Sequence, residues 1–385
     1  MVQVGILVGS LIFGHISDRY GRKKAVVLSL LTEVIFIALS AAVPNFWMFM
    51  VFRFLIGTGL GGSMLCCFVI MIEISGKSFR PYVSGLSESI YVTSYLLLPL
   101  IAYFIRDWRC LQLATSLPWL FVFFYYWMIP ESPRWLITTG KRKEAVDILT
   151  EMAKKNNRPT ENIESLVIKI EEQSLKENEQ CYGSYLDLFK TSKIRLYTFI
   201  MALVWMCCAH TFFGVNQYIG RLQGDLYLNV FLSAVCLLPG LIIVTIATLY
   251  LKRKISCIIT FSVAAISLII FIVVPSNMVS VMLTFAIIGQ IGIYTSFVLI
   301  YLYCSEIFPT IIRNSAMGFA SVFARFGGFI APFVVNIGVE WATLTIFSGL
   351  AFFAAFLCIF LPETKDIVLL NTVTETEKVK KVGKK

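Results

Sequence analysis

Eleven times along its length this chain passes through a run of mostly apolar residues, at about 2–17, 25–43, 46–74, 82–105, 110–129, 194–214, 226–250, 255–274, 279–304, 314–338 and 341–361. A helix needs about 20 such residues to cross a hydrocarbon core about 30 Å thick. In lipid each segment must satisfy its own backbone hydrogen bonds, which an open strand cannot do. The runs therefore predict an all-α polytopic membrane protein with about eleven transmembrane helices. Composition agrees: 15% of the 385 residues are charged, against about 25% in a soluble domain. The net charge of +10 calls for no nucleic acid, because basic loops facing an anionic membrane surface account for it.

The charges sort by loop. DRYGRKK (18–24), the long segment 134–195, KRK (252–254), Arg313 and the tail lysines Lys378, Lys380, Lys381, Lys384 and Lys385 fall on one side by parity. The other side carries little beyond Arg106, Arg109 and Arg221. Positive charge accumulates on the cytoplasmic side, so the amino terminus is expected outside, the carboxyl terminus inside, and 130–193 as a cytoplasmic loop. In KRKEAVDILTEMAKK (141–155), Ala145, Ile148, Leu149 and Met152 recur at helical spacing, which predicts an amphipathic helix on the domain or membrane surface. Most of the ten cysteines stand in apolar runs, with no CxxC pair and no zinc spacing, and read as small hydrophobes. The sequence has no N-x-S/T sequon and no cleavable signal, since the basic residues follow the first apolar run.

An internal repeat organises the chain. EIFPTIIR (306–313) sets Glu306 seven residues before Arg313, and EISGKSFR (73–80) does the same with Glu73 and Arg80. PESPR (130–134) ends one span and PETK (362–365) another, so Glu131 answers Glu363. An offset of 232–233 carries Arg22, Lys23 and Lys24 onto Lys254, Ile255 and Ser256. Landmarks at a fixed offset mark a duplication. Both copies keep the same membrane direction, the plan of transporters built from parallel repeats that hold substrate near midplane. The expected divisions are an incomplete amino-terminal bundle at 1–129, the loop at 130–193, a six-helix bundle at 194–361 and a tail at 362–385. The span 194–214 opens the second copy, and its counterpart would precede residue 1. The alternative is an eleven-helix protein without that element.

GHISDRYGRKK (14–24) fits the major facilitator signature G-x-x-x-D-R-x-G-R-R/K. AYFIRDWRCLQL, YYWMIPESPRWLI and SEIFPTIIRNSAMG resemble the organic cation, organic anion and carnitine transporter family, solute carrier family 22, over nearly the whole chain. The resemblance implies two pseudo-symmetric six-helix bundles, alternating access and the absence here of the family's first helix. It marks Gly14, Asp18, Arg19, Gly21, Arg22, Glu73, Arg80, Glu131, Arg134, Glu306 and Arg313 as the gating and structural motif. Asp18 can face a helix amino terminus, the one beginning near Asn314 being the family's candidate, and Arg22 can pair with Glu73. The simpler reading is a solvated basic loop that sets topology. Position 251 is Leu where a second aspartate would stand, so an asymmetric latch is expected.

Polar groups inside the bilayer are costly and usually functional. Arg325 lies twelve residues past Arg313, about 18 Å along a helix, which places it near midplane. Ser321 shares its face four residues earlier. Such a guanidinium invites a carboxylate as a bidentate fork, unless an internal acid neutralises it. The family resemblance implies that anion and carnitine carriers look similar here, whereas cation carriers place an acid. It also implies that Trp205, Phe212, Phe213, Phe297, Tyr301 and Tyr91 line the central cavity, where rings can sandwich an organic ion or meet a cation face-on; each alone also reads as packing. Leu237 stands where the family has an acid, Gln290 where anion and carnitine relatives carry lysine, and Leu241 near a second such lysine.

Other groups read as structural. Arg53 with Gly57, Gly59, Gly61 and Gly62 suggests close helix packing. Glu33 and Glu88 are embedded and open to pairing, and His210 is a lone histidine. GKS (76–78) lacks the glycine that a P-loop needs at position 71, which is Met. No ATPase motif, catalytic triad, metal set or cofactor site is expected. The sequence points to a plasma-membrane carrier of small organic ions, an anion or carnitine-like zwitterion before a cation. The alternatives are a truncated, non-transporting form that regulates a partner, and an organic cation carrier.

Overall fold

A computed structural model describes residues 1–76, 79–178, 185–222, 225–275 and 277–365, without the side chains of 80–88, 173–178, 185, 310, 311, 314 and 340. The tail lysines and the GKS tripeptide's last two residues lie outside it, as do the side chains of Arg80, Glu88 and Asn314. The chain divides into two compact units, Met1–Tyr91 with Phe104–Cys181, and Val92–Tyr103 with Tyr182–Lys385. The division falls inside a helix, so residues 92–103 build the second unit although the sequence places them in the first bundle.

The first unit holds α1 (Val2–Tyr20), α2 (Arg22–Ala41), α3 (Phe46–Ile74), the start of α4 (Arg80–Phe104), α5 (Trp108–Ser116), a 3₁₀ turn (Leu117–Phe121) and α6 (Val122–Met128). The core contact is α1 on α3. A Cβ on Gly5, Gly57 or Gly61 would run into the facing helix's main chain, and one on Gly62 into the Phe13 ring. Glycine thus sets the interaxial distance, as expected where lipid supplies no hydrophobic drive and van der Waals fit decides. Arg53, four residues before Gly57 on that helix, holds its guanidinium 4.8 Å over the Phe49 ring. The predicted span 110–129 is helical but broken, because Pro118 opens the 3₁₀ turn between α5 and α6.

Three short helices follow: α7 (Pro133–Thr138), α8 (Arg142–Lys155) and α9 (Ile163–Asn178). Trp135, Leu136 and Ile137 of α7, Ala145, Ile148 and Leu149 of α8, and Val167 of α9 share a small core. The apolar face read in the sequence is therefore spent on neighbouring helices within the connector.

The second unit contains α10 (Ser192–Ile219), α11 (Leu226–Val235), α12 (Leu237–Tyr250), α13 (Arg253–Val273), α14 (Val279–Ile307), α15 (Thr310–Val335) and α16 (Glu340–Cys358), after a 3₁₀ turn at Tyr185–Phe189. The predicted span 226–250 parts at Cys236, just before Pro239 removes a backbone donor from the first turn of α12. Among the described residues eight helical segments are long and apolar enough to cross a membrane. Of the other three predicted spans, α1 carries Gln3, His15, Asp18 and Arg19, α5–α6 is broken, and Ser89–Phe104 of α4 is a shorter apolar helix.

Candidate functional site: a duplicated ionic clamp and an aromatic ladder

The repeat seen in the sequence is a duplicated clamp. In the first unit Gly21 stands between α1 and α2 at φ +114°, a region L-residues avoid. A Cβ there would also collide with the Glu131 carboxylate. That carboxylate caps α2, its Oε1 accepting from the backbone N–H of Arg22 at 2.8 Å and of Lys23 at 3.0 Å. Arg22 then reaches Glu73, with Nε 3.2 Å from Oε2, and also pairs with Asp18 and Ser17. The Trp135 indole N–H donates to the Asp18 carbonyl at 2.8 Å. An acid at a helix amino terminus meets unsatisfied donors and the positive end of the dipole, worth about 0.3–1 kcal/mol and up to about 2 when partly buried.

The second unit repeats the helix cap and the arginine–glutamate pair. Glu363 accepts from the N–H of Arg253 at 2.8 Å and of Lys254 at 3.3 Å. Arg253 Nε lies 3.2 Å from Glu306 Oε2, and Thr364 donates to the same carboxylate. Arg22 thus corresponds to Arg253, not to Lys254 as the fixed offset had it. Arg22 and Glu73 are 51 residues apart and Arg253 and Glu306 are 53 apart, because α13 and the turn after it are each one residue longer. The copies differ where the sequence expects: Arg22 has Asp18, whereas Arg253 Nη1 donates to the Thr248 carbonyl.

The remaining motif residues are more scattered. Gly14 faces the Leu65 side chain, Arg19 lies over the Tyr20 ring and Arg134 is exposed. Arg313 is half-buried, with Nε and Nη2 unbonded among the described residues. Glu33, expected to pair, accepts from Ser63 Oγ at 3.0 Å.

The second cluster lies wholly in the second unit. On α10, Trp205, Phe212 and Asn216 follow the spacing of one helix face, and on α14 Gln290, Tyr294, Phe297 and Tyr301 do the same. They meet as rungs. Trp205 and Tyr301 have ring centroids 4.2 Å apart, Phe212 and Phe297 stack at 5.3 Å, Phe212 and Tyr294 lie at 6.2 Å, and Gln290 Nε2 donates to Asn216 Oδ1 at 2.6 Å. As numbers rise on one helix they fall on the other, so the helices run antiparallel. Phe297 also lies 5.5 Å from Tyr301, and Phe213 packs 5.4 Å from Phe212. Trp205 and Phe212 are 1% and 3% exposed, while Phe213 and Phe297 are half-buried and Tyr301 is 36% exposed. The two buried rings back the others.

Helix α15 brings Arg325 to this ladder. Gly327 sits against the Met206 carbonyl, and its own carbonyl lies 3.1 Å from His210 Nδ1. This contact fixes the register of α15 on α10 and explains His210 as a packing group. Arg325, two residues earlier, falls level with the aromatic rungs and is half-buried, as is Ser321 on the same face. Asp187 and Glu306, the carboxylates of this unit in ion pairs among the described residues, take Lys190 and Arg253. Tyr91 lies in the first unit, 45% exposed. Sequence reading did not find Asn216, Tyr294 or Tyr95 in this cluster. The stripe at i, i+7 and i+11 on α10, and at i, i+4, i+7 and i+11 on α14, was the available signal.

Solved structures share this architecture. The xylose transporter XylE from E. coli in a partially occluded inward-open conformation matches with a TM-score of 0.75 at 20% identity, over 96% of this chain and 87% of that one. Its inward-open form matches with a TM-score of 0.73 at 18% identity, over 98% and 88%. The fold is that of the major facilitator superfamily, a class of polytopic membrane transporters. The profile of the "Sugar (and other) transporter" family matches residues 1–373, and the chain belongs to that family, within its solute carrier 22 branch. Human organic cation/carnitine transporter 2 is 33% identical over 98% of this chain and 68% of its own length. Solute carrier family 22 member 3 of Rattus norvegicus is 35% identical over 98% and 68%, and member 6 of Danio rerio 34% over 97% and 67%.

Proposed function

We propose that this membrane protein carries small organic ions by alternating access at the plasma membrane, with its carboxyl terminus in the cytoplasm. It prefers a monovalent carboxylate or carnitine-like zwitterion to a cation. Arg325 carries the reading: a guanidinium on a membrane-spanning helix, level with an aromatic ladder, with the ion-paired carboxylates of its unit engaged elsewhere. In a medium of low dielectric such a charge is costly and favours a counter-ion from the substrate. Its planar fork matches a carboxylate, and the half-exposed rings of Phe213, Phe297 and Tyr301 offer an apolar or quaternary-ammonium body a surface. Ser321 adds a hydroxyl on the same helix face. Tyr91 is proposed as a substrate contact of the first unit, the duplicated clamps to steady the gate, and the divisions at 129, 193 and 361 to bound its moving parts.

Uptake of a labelled monocarboxylate, carnitine and a quaternary ammonium ion in cells expressing the chain, Arg325→Ala and Arg325→Asp tests this. Anion uptake should fall about tenfold or more in Arg325→Ala, the scale of one charge-assisted bidentate contact. In Arg325→Asp the preference should turn toward the cation. Unchanged anion uptake in both variants removes Arg325 from the site.

A further inference from the structure

At the end of the ladder away from Trp205, four polar side chains meet inside a membrane-spanning bundle. Asn216 Oδ1 accepts from Tyr95 Oη at 2.9 Å, from Gln290 Nε2 at 2.6 Å and, more weakly, from Ser233 Oγ at 3.5 Å. All four belong to the second unit, Tyr95 through the part of α4 that packs there. Three donors converging on one oxygen fix the orientation of the Asn216 amide. An amide carries two acceptor lone pairs on oxygen and two donors on nitrogen. Here the acceptor half is saturated, whereas Nδ2 meets no acceptor among the described residues. Asn216 is half-buried, and its unbonded Nδ2 is not one of the fully enclosed polar atoms left without a partner, so the NH₂ lies at the accessible edge of the cluster.

Gln290 supports the same conclusion from the other side. It is fully buried at 0% exposed, and its Oε1 is unbonded among the described residues. A buried acceptor left unsatisfied costs about 1–3 kcal/mol. The helices therefore accept that cost to hold Nε2 on Asn216, and packing alone is better served by an apolar residue at position 290.

We propose that Asn216 is a specificity-determining residue whose fixed amide NH₂ donates to a neutral acceptor, a carbonyl or ether oxygen, at the far end of the substrate from its charged group. This rests on the reading of Arg325 as the carboxylate partner. Gly327 sets α15 level with Met206–His210, so Asn216 stands about 10–15 Å further along α10 at 1.5 Å per residue. The two polar ends are bridged by the rings of Phe212, Phe297 and Tyr294. The substrate class that fits is an elongated monoanion: carboxylate, apolar or unsaturated middle, and an uncharged oxygen acceptor about ten bonds away. Gln290 and Tyr95 are positioning residues that hold the amide.

The test is equilibrium binding of radiolabelled decanoate and radiolabelled monomethyl decanedioate to the purified full chain in lipid nanodiscs. The two probes share a carboxylate and a ten-carbon chain and differ by a distal ester carbonyl. Wild type should bind the ester-bearing probe about three- to tenfold more tightly, the worth of one neutral hydrogen bond. Asn216→Ala should abolish that ratio while leaving decanoate affinity within about twofold. Gln290→Leu, which frees the amide without touching its NH₂, should reduce the ratio partway, and Gln290→Glu, which supplies no donor when ionised, should not restore it. Arg325→Ala should weaken both probes equally. Equal affinities in wild type, with both probes still dependent on Arg325, overturn the Asn216 assignment alone. A ratio that persists in Asn216→Ala overturns it as well. Binding of both probes that ignores Arg325, or no binding of either, overturns the carboxylate reading and this inference with it.

Discussion

Gly21 shows how much one residue decides here. Its φ of +114° and the carboxylate packed against its missing Cβ are two independent demands for glycine at the same point. Both serve the clamp, because only this turn lets Glu131 reach the first N–H groups of α2. An L-residue forced to φ +114°, ψ 152° costs about 1–3 kcal/mol, and displacing the cap adds up to about 2 kcal/mol. Gly21→Ala is therefore expected to lower the melting midpoint of the detergent-solubilised protein by several degrees, while Gly76→Ala, where a Cβ meets nothing within 4 Å, should leave it in place. The signature that contains Gly21 was plain in the sequence, and so was Arg325. Asn216 was not legible, because an asparagine in an apolar run declares nothing until its three donors, drawn from α4, α11 and α14, are known.

Among the elements, helix ends give the clearest expectation. Asp107 precedes α5 and accepts from the backbone N–H groups of Cys110 and Arg109 at 2.9 and 3.0 Å. Those bonds, Cys110's first, hold its carboxyl below the ordinary aspartate value. A depressed native value means that the ionised form favours the folded state. The cap is complete above the ordinary aspartate range and is lost as the pH falls through the native value. The melting midpoint of Asp107→Ala should lie below that of wild type at neutral pH, and the gap should close in acid. A gap that stays constant with pH would show that the carboxylate is not the capping group. Apolar runs located every helix that α5 and α10–α16 comprise, but not the breaks at Leu117–Phe121 and Cys236. A run of hydrophobic residues reports what a segment is immersed in, and says little about where proline interrupts its hydrogen-bond ladder.

For the whole molecule the duplication is the organising fact. Each unit fastens the segment that follows its last span, through Glu131 or Glu363, to its own helix start at Arg22 or Arg253. Glu131→Gln and Glu363→Gln should therefore act locally. Hydrogen exchange read by mass spectrometry should quicken about five- to thirtyfold, for about 1–2 kcal/mol lost, over the first turns of α2 in one variant and of α13 in the other. Quickening at both places in either variant would show the clamps to be coupled. The sequence located the duplicated acids correctly and misplaced the second arginine by one, since a constant offset cannot see an extra residue in a helix and another in a turn.

Helix α4 changes allegiance at Tyr91, and its later turns help build the second core, with Val92 fully enclosed there. A backbone nick between α8 and α9 would therefore not set two independent pieces free. The amino-terminal fragment would retain one stave of the second unit's helical bundle, and the severed pieces would stay joined through it until lipid or detergent pried that stave out.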